Sequence, residues 1–278
     1  MSTTSSSLPA SAPVFAIMSA LVEEHAGLHY GLADRDVFVE RVSARALDAG
    51  FSSLLDYYYF LRYDPSAEEE RRKLIDALVV NETYFFRELE PLRIAVQHFI
   101  LPLVREGKRP RVWSAACSTG EEPLTLAMLL HEADLLSQVD LVATDISQRV
   151  LDRAESGRFR PRSLRDAFDP ELASRWIKED GAGGFTVSAK LRNAVQWKCL
   201  NLLDAQGVSS LGRFDVVFCR NVLIYFGDET LVRVLRSFAD VLKPEGVLFV
   251  GISESLLRFG NLFRCEEKNR VFFYRRGE

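Results

Sequence analysis

From about residue 110 onward, short apolar runs alternate with segments whose apolar residues recur at helical spacing. The predicted strands are Arg111–Ala115, Asp140–Thr144, Phe214–Cys219 and Val247–Ile252, and the predicted helices are Glu121–Leu136, Gln148–Glu155 and Asp228–Leu242. Strands buried on both faces read as continuous apolar runs, and their alternation with helices indicates a mainly parallel sheet. The last two runs, Leu262–Glu266 and Arg270–Tyr274, predict an antiparallel hairpin.

The chain before this pattern is predicted to be helical. Four helices are expected between residue 14 and about residue 80, the second of them capped by Asp34 and reaching Leu47. Residues 1–12 are rich in Ser, Thr, Pro and Ala and are predicted to be a disordered leader. We therefore expect an all-α domain over residues 13–90 and an α/β domain over residues 91–278.

One segment departs from the α/β alternation. Arg158 to about Leu200 holds a predicted helix near Pro170–Ile177, a Gly-rich turn at Asp180–Gly184, and predicted strands at Phe185–Ser188 and Ala194–Cys199. We interpret residues 158–200 as a small, mostly β subdomain inserted into the α/β domain.

Composition excludes several classes of protein. The net charge of −4 argues against a nucleic-acid binder, which would normally be basic. No apolar run approaches the ~20 residues that a membrane span needs, so the protein is not expected to be membrane-embedded. The 4 cysteines are widely spaced, which indicates reduced thiols, and the 4 scattered histidines give no metal site. We expect a cytoplasmic monomer.

A small-residue loop, Ala115–Gly120, follows the first predicted strand and precedes a helix. It has one glycine where a dinucleotide fingerprint has three. The helix opens with Glu121 and Glu122, which would repel a pyrophosphate but suit a ligand that carries positive charge and hydroxyl groups. S-adenosylmethionine has a sulfonium, an ammonium and a ribose. The presence of Glu121 at the start of the helix is sufficiently explained by its favourable interaction with the helix dipole.

The ends of two further strands carry polar residues. Asp145 follows the second strand, where an acidic residue commonly binds ribose hydroxyls, although a strand-end Asp can also cap a helix. Arg220 and Asn221 follow the strand Phe214–Cys219, where many amino-methylating enzymes have an Asp/Asn-Pro-Pro-aromatic motif. This difference argues against N-methylation, and an arginine there would suit an anionic acceptor. The sequence thus predicts a class I, Rossmann-like S-adenosylmethionine-dependent methyltransferase fold.

Four segments together resemble the CheR-type chemotaxis receptor methyltransferases. They are Asn81–Arg87 (Asn-x-Thr-x-Phe-Phe-Arg in the family), Trp113–Pro123, Phe218–Phe226 and Gly251–Ser255. The resemblance extends over residues 14–275. It implies methyl transfer from S-adenosylmethionine, leaving S-adenosylhomocysteine, to glutamate carboxylates on the cytoplasmic helices of chemoreceptors, as part of sensory adaptation.

The resemblance also implies roles for individual residues. Arg87 would lie near the methionine carboxylate of the cofactor, Asp145 would bind the ribose, and Tyr225 would lie near the transferring methyl group. Arg87 and Tyr225 are the predicted catalytic residues. The full set of predicted cofactor-binding residues is Asn81, Thr83, Arg87, Ala115, Glu122, Asp145, Asn201, Leu202, Arg220 and Asn221, with Asn201 and Leu202 beside the adenine.

The chain departs from the family in two places. The second helix keeps Arg41 and Arg45 on one face, and these two are the predicted substrate-binding residues, but the fuller run of arginines seen in relatives is missing. The Gly181–Gly184 turn looks shorter than in relatives that capture a C-terminal receptor peptide by strand addition, so we expect no such tether.

Three alternative functions are less consistent with the sequence. A methyltransferase acting on carboxyl or hydroxyl groups of small molecules is disfavoured, because the helical domain and the β insertion are better explained by a protein substrate. A non-catalytic, cofactor-sensing module is disfavoured by the presence of Arg87, Asp145, Arg220, Asn221 and Tyr225. A nicotinamide enzyme is the weakest option, for want of the glycine triad.

Overall fold

The computed structural model describes residues 7–165 and 169–277, and it divides into two compact units. Unit 1 comprises Met1–Val80 and Tyr225–Thr230, and unit 2 comprises Asn81–Ile224 and Leu231–Glu278. This division falls earlier in the chain than the boundary predicted at residue 90. The reason is that Phe85 and Phe86 are buried in the hydrophobic core of unit 2.

The described residues of unit 1, 7–80 and 225–230, include four α-helices around a core that contains Phe15, Phe38, Tyr57 and Leu61. The helices are α1 (Ala12–Ala26), α2 (Arg35–Asp48), α3 (Leu54–Tyr63) and α4 (Glu68–Leu78). Gly27 ends α1 in the left-handed conformation, with φ of 77°, and a Cβ there would lie 2.9 Å from the Thr230 side chain. The segment Tyr225–Thr230 therefore packs closely on the end of α1.

The predicted disordered leader requires a correction. Its first six residues lie outside the described part of the chain. The Leu8 N–H, however, donates to Ser43 Oγ at 3.0 Å, and the Ala10 carbonyl accepts from Arg35 Nη2 at 2.7 Å. Ser11 then caps α1, which begins at Ala12. Residues 8–12 are thus held by hydrogen bonds to α2 and by the start of α1.

Unit 2 contains two sheets and the helices that connect their strands. The helices are α5 (Leu89–Ala95), α6 (Leu101–Arg105), α7 (Glu121–Glu132), α8 (Gln148–Ser156), α9 (Pro170–Trp176), α10 (Ala189–Arg192), α11 (Ala205–Ser210) and α12 (Asp228–Val241), the last of which starts in unit 1. The strands are β1 (Arg111–Ala115), β2 (Asp140–Asp145), β3 (Arg158–Phe159), β4 (Ile177–Glu179), β5 (Phe185–Val187), β6 (Val195–Cys199), β7 (Phe214–Cys219), β8 (Leu242–Val250), β9 (Phe263–Lys268) and β10 (Val271–Arg276).

The large sheet has the strand order β6-β2-β1-β7-β8-β10-β9. The first five strands in this order run parallel, and β10 pairs antiparallel with both β8 and β9. Asn269 and Arg270 join β9 to β10 with φ of 51° and 65°, as the favoured two-residue hairpin turn requires. The predicted fold class, a mostly parallel sheet that ends in an antiparallel hairpin, is confirmed.

The small sheet has the order β3-β5-β4, with both pairings antiparallel. It lies within the predicted insertion, but the strand predicted at Ala194–Cys199 does not belong to it. That strand is β6, which pairs in parallel with β2 at the edge of the large sheet. β6 lies at the edge of the sheet, and its Gln196 and Lys198 are exposed. Its sequence therefore alternates between polar and apolar residues, as that of an antiparallel strand with one solvated face does.

Among the residues that the structure describes, none of the helices is both long enough and apolar enough to cross a membrane.

Candidate active site

The candidate site lies at the carboxyl ends of the parallel strands, where the strand order reverses. The chain passes from β1 to β2 on one side of the sheet, and later returns to place β7 on the other side of β1. The loops after β1 and β7 therefore leave the sheet in different directions. In open parallel sheets, ligands bind at this switch point.

The loop after β1 is held against the end of β2 by Asp145. The Ser118 N–H donates to Asp145 Oδ2 at 2.8 Å, and the Ser147 N–H donates to Asp145 Oδ1 at 3.0 Å. Asp145 is buried, and Ser118 has a positive φ of 51°. At Gly120 a Cβ would lie 2.7 Å from the Ala154 side chain, so this position needs glycine. The carboxylate that was predicted to hold a ribose is therefore fixed beside the small-residue loop.

Arg220 joins the loop after β7 to two carboxylates. Its side chain is 2% exposed, and Nη1 donates to Glu122 Oε2 at 2.8 Å while Nη2 contacts Glu88 Oε2 at 3.0 Å. Nη2 also donates to the carbonyl oxygens of Arg87 and Glu88. The terminal nitrogens of Arg220 thus contact Glu88 and Glu122, while its predicted roles toward the cofactor and toward an anionic acceptor stay predictions.

This arrangement leaves an excess of negative charge at the strand ends. Burial raises the pKa of Glu88, but the charge of Arg220 and hydrogen bonds from Arg220, Asn221 and Ile252 outweigh burial and lower it. Glu88 is therefore ionised at neutral pH. Glu122 is the second carboxylate on the same guanidinium and also accepts from Ser114 Oγ at 2.7 Å. Two carboxylates around one cation suit a ligand that carries positive charge.

Glu254 organises the loop after β7. Its carboxylate accepts from the backbone N–H groups of Asn221, Leu223 and Gly251 at 2.7–2.8 Å, and from that of Ile224 at 3.3 Å. Burial raises the pKa of Glu254, and the four backbone hydrogen bonds act in the opposite direction. Asn221 is held in the left-handed region, with φ of 60°, and its amide donates to Glu88 Oε1 at 3.3 Å.

Strained backbone and unsatisfied polar atoms coincide at this end of the sheet. Phe86, Glu88, Ala116, Ser118 and Asn221 all have positive φ, a conformation that non-glycine residues rarely adopt. In the described part of the chain, Ser118 Oγ and Arg220 Nε are buried without a hydrogen-bond partner. Buried polar atoms without partners are costly, and a polar ligand is one way to satisfy them.

The segment Asn81–Arg87 leads into this network through Glu88. Arg87 is half-buried, donates from Nη1 to the Glu82 carbonyl at 2.9 Å, and lies 5.6 Å from the centre of the Tyr84 ring. Asn81 and Thr83 are half-buried. The roles of Asn81, Thr83 and Arg87 toward a cofactor stay predictions.

Asn201 and Leu202 follow β6, whose end is tied to the end of β2. The Leu200 N–H donates to the Asp145 carbonyl at 2.8 Å, and Asn201 Oδ1 accepts from the Leu203 N–H at 3.0 Å. Leu202 is buried. The structure therefore brings Ala115, Asp145, Asn201 and Leu202 to the same edge of the sheet, although their contacts with an adenine stay predictions.

Three predicted residues lie in unit 1. The Tyr225 carbonyl accepts from the His29 N–H at 2.8 Å. Arg41 Nη1 donates to the Leu78 carbonyl at 3.1 Å, and Arg45 forms a two-point ion pair with Glu70 at 2.6 and 3.2 Å. Arg45 thus has an internal partner. The predicted roles of Tyr225 in catalysis and of Arg41 and Arg45 in substrate binding remain untested.

Sequence reasoning missed Glu88 and Glu254 as site residues and assigned Glu121 only to the helix dipole. Glu88 directly follows the Asn81–Arg87 segment, and Glu254 lies within Gly251–Ser255, so both were adjacent to recognised motifs. Glu121 is 1% exposed and accepts from Thr119 Oγ1 and Ser163 Oγ. Burial raises the pKa of the Glu121 carboxyl.

Sequence comparison identifies the family. The family model described as "CheR methyltransferase, SAM binding domain" matches residues 81–272, and the model described as "CheR methyltransferase, all-alpha domain" matches residues 14–79. The chain belongs to the CheR methyltransferase family. It is therefore an S-adenosylmethionine-dependent methyltransferase, and the two carboxylates, the buried Asp145 and the unsatisfied Ser118 Oγ and Arg220 Nε of this CheR protein fit that cofactor.

Three curated relatives illustrate the similarity. Chemotaxis protein methyltransferase 1 of Pseudomonas aeruginosa is 37% identical over 213 residues, covering 74% of this CheR chain and 77% of the relative. The chemotaxis protein methyltransferase of Klebsiella aerogenes is 35% identical over 265 residues, covering 92% and 88%. That of Escherichia coli is 36% identical over 249 residues, covering 87% and 84%.

Proposed function

We propose that this CheR protein transfers a methyl group from S-adenosylmethionine to glutamate side chains of chemoreceptors and forms glutamyl methyl esters. The observation that carries the proposal is the Arg220 network, with Glu88 and Glu122 on one guanidinium at the end of β7. The names of the relatives support a chemotaxis protein as the acceptor.

The residues at the strand ends suit the separate parts of the cofactor. Asp145, fixed by two backbone N–H groups, would accept hydrogen bonds from vicinal ribose hydroxyls. Glu122 and Glu88 would face its positive groups. Arg87 would pair with its carboxylate, and Leu202 would supply an apolar surface beside the adenine.

Methyl transfer to a carboxylate requires little from the protein beyond the positioning of donor and acceptor. S-adenosylmethionine supplies an electrophilic methyl group on a sulfonium, which a carboxylate oxygen can accept directly to give the ester and S-adenosylhomocysteine. A glutamate is already ionised at pH 7, so no general base is required. Arg87 and Tyr225 would therefore act by aligning donor and acceptor and by excluding water.

The partner is proposed to be the cytoplasmic helical region of a chemoreceptor, and the enzyme a cytoplasmic monomer. We propose that it needs no C-terminal receptor peptide as a tether. The support is the short β4–β5 connection, which is closed by Asp180: its carboxylate accepts from the Ala182 and Gly184 N–H groups at 2.9 Å.

The test uses methyl-labelled S-adenosylmethionine, the purified chain and membranes that contain a chemoreceptor. We expect label on a receptor-sized band, released by mild alkali as methanol, as a carboxyl ester requires. Label that resists alkali would indicate nitrogen methylation and contradict the proposal. No label despite measurable cofactor binding would contradict it as well.

A further inference from the structure

A buried carboxylate at the start of α7 has no role in the function proposed above. Glu121 is 1% exposed, and its carboxylate accepts from Thr119 Oγ1 at 2.6 Å and from Ser163 Oγ at 2.8 Å. Burying a carboxylate costs free energy unless hydrogen bonds replace the lost water. A favourable interaction with the helix dipole does not require burial, since it also acts on exposed carboxylates. The burial of Glu121 therefore requires a further explanation.

The Glu121 carboxylate connects two segments that are distant in the chain. Thr119 lies in the small-residue loop after β1, and Ser163 ends the turn Pro161–Ser163, which follows β3. Both hydroxyl-bearing residues are buried. Burial raises the pKa of Glu121, and the hydrogen bonds from the two hydroxyl groups act in the opposite direction. The carboxylate thus fixes Ser163 relative to the loop after β1.

Ser163 in turn holds the segment that precedes α5. Its carbonyl accepts from the Phe85 N–H at 2.8 Å, and the neighbouring Phe86 N–H donates to Thr125 Oγ1 at 3.2 Å. Thr125 Oγ1 donates to the Glu121 carbonyl at 2.7 Å. These two backbone N–H groups are therefore both connected to Glu121, the first through its carboxylate and the second through its main chain.

The position of Arg87 depends on these contacts. Arg87 lies between Phe86 and Glu88, whose φ values of 64° and 45° are in the left-handed region that non-glycine residues rarely adopt. Such a backbone persists only where surrounding contacts fix it. The structure describes the whole segment Asn81–Glu88 as irregular, so helix or strand pairing does not supply those contacts. The hydrogen bonds that lead to Glu121 supply them, together with the burial of the two preceding phenylalanines in the core.

We propose that Glu121 is a positioning residue for S-adenosylmethionine, which acts through Ser163 to place Arg87 at the amino-acid end of the cofactor. The inference rests on the proposed function in one respect, the pairing of Arg87 with the cofactor carboxylate, and it is independent of the acceptor. It predicts an effect that depends on the ligand. Removal of the Glu121 side chain should weaken the binding of ligands that carry the amino-acid end and spare ligands that lack it.

The experiment measures the Kd values of two ligands by calorimetry. S-adenosylhomocysteine carries the amino-acid end, whereas methylthioadenosine has the same adenosine and thioether but ends in a methyl group. For Glu121→Ala we expect the Kd of S-adenosylhomocysteine to rise by about 3- to 10-fold, the effect of one misplaced hydrogen bond, and that of methylthioadenosine to change by less than about twofold. Glu121→Gln should keep both Kd values within about twofold of the wild type, because its amide can bond to both hydroxyl groups.

Two further variants serve as a control and as a second test. The Asp215 side chain is 12% exposed and accepts from the Arg111 N–H and from Lys243 Nζ, both at 2.7 Å, at the opposite end of β7 from the site. Asp215→Ala should therefore lower stability without changing either Kd. Ser163→Ala removes the hydroxyl that Glu121 binds with a smaller loss of volume, so it tests the inference even if Glu121→Ala does not fold. It should raise the Kd of S-adenosylhomocysteine alone.

A double-mutant cycle tests whether Glu121 acts through Arg87. If it does, Arg87→Ala/Glu121→Ala should bind S-adenosylhomocysteine no more weakly than Arg87→Ala alone, because the group that Glu121 positions is already absent. Additive losses of affinity would overturn the inference. A loss of affinity for both ligands alike in Glu121→Ala, or no loss for either, would overturn it as well.

The outcomes separate this inference from the proposed function. An Arg87→Ala protein with the wild-type Kd for S-adenosylhomocysteine would overturn both the inference and the proposed role of Arg87. A weakened Arg87→Ala beside an unaffected Glu121→Ala would overturn the inference alone. Failure to form methyl esters on a chemoreceptor would overturn the proposed acceptor and leave the inference standing, because both ligands are measured without an acceptor.

Discussion

Replacement of Arg220 by methionine tests the balance of charge at the strand ends. The change leaves Glu88 and Glu122, whose side chains are 20% and 15% exposed, without the guanidinium between them. Breaking a buried ion pair on one side costs about 3–5 kcal/mol, because the remaining charge is uncompensated. We expect Arg220→Met to lower the free energy of unfolding of unit 2 by this amount and to abolish cofactor binding.

A triple variant, Arg220→Met/Glu88→Gln/Glu122→Gln, separates lost charge balance from lost packing. With both carboxylates neutralised, the uncompensated charge is gone, so we expect more than half of the lost stability to return while cofactor binding stays absent. Urea unfolding followed by tryptophan fluorescence reports on unit 2, because all 3 tryptophans, Trp113, Trp176 and Trp197, lie there. If the triple variant is as unstable as Arg220→Met, the electrostatic explanation is refuted.

The wild type and the triple variant should differ in how their stability responds to acid. The pKa of Glu88 is lowered below its ordinary 4.5 in the folded state, so its stabilising contribution is present above that value and is lost as pH falls through the lower folded-state pKa. Between about pH 6 and pH 3.5, wild-type unit 2 should therefore lose more stability than the triple variant, which has no ionisable group at position 88. Equal losses of stability in the two proteins would contradict the lowered pKa assigned to Glu88.

Three further changes test single residues. Asp145→Asn should raise the cofactor Kd by about tenfold or more, because a charge-assisted hydrogen bond is lost. Calorimetry measures this Kd, with the exposed Asp152→Asn as the control. Equal Kd values for the two variants would contradict the prediction. Tyr225→Phe should lower turnover more than cofactor affinity in the methyl-transfer assay, and unchanged turnover would remove Tyr225 from the mechanism. Arg45→Ala should destabilise unit 1 by about 3 kcal/mol, because it strands Glu70 beside Tyr57. Amide hydrogen exchange of α2–α4 would measure this loss of stability. An Arg45→Ala protein that is as stable as Arg41→Ala would refute the prediction.

The sequence predicted the fold class, and it predicted that the polar strand ends at Ala115, Asp145 and Arg220 would lie at one edge of the large sheet. The strands Arg111–Ala115 and Phe214–Cys219 have the predicted bounds. Because the carboxyl ends of parallel strands meet at one edge, the motifs at Ala115, Asp145 and Arg220 had to converge once the strands were assigned. Local apolar runs determine these features, so they could be inferred without knowledge of tertiary contacts.

The features that the sequence did not predict depend on partners distant in the chain. The role of Glu88 follows from its contact with Arg220, and the role of Glu254 from the backbone N–H groups after β7. The sequence alone predicts Arg45 to be a surface arginine, because its partner Glu70 lies on a different helix, α4. The edge position of β6 likewise depends on which strand it pairs with, which its own alternation does not specify.

The central claim is that the methyl group goes to a glutamate carboxylate of a chemoreceptor. The most direct test is mass spectrometry of the receptor cytoplasmic fragment after incubation with the enzyme and S-adenosylmethionine, with fragmentation of the modified peptides. The account predicts a gain of one methylene unit on glutamate side chains, which is lost after mild alkali and is reduced in the reaction with Asp145→Asn at a limiting cofactor concentration. A methyl group on lysine, arginine or a peptide terminus, or one that survives alkali, would contradict it.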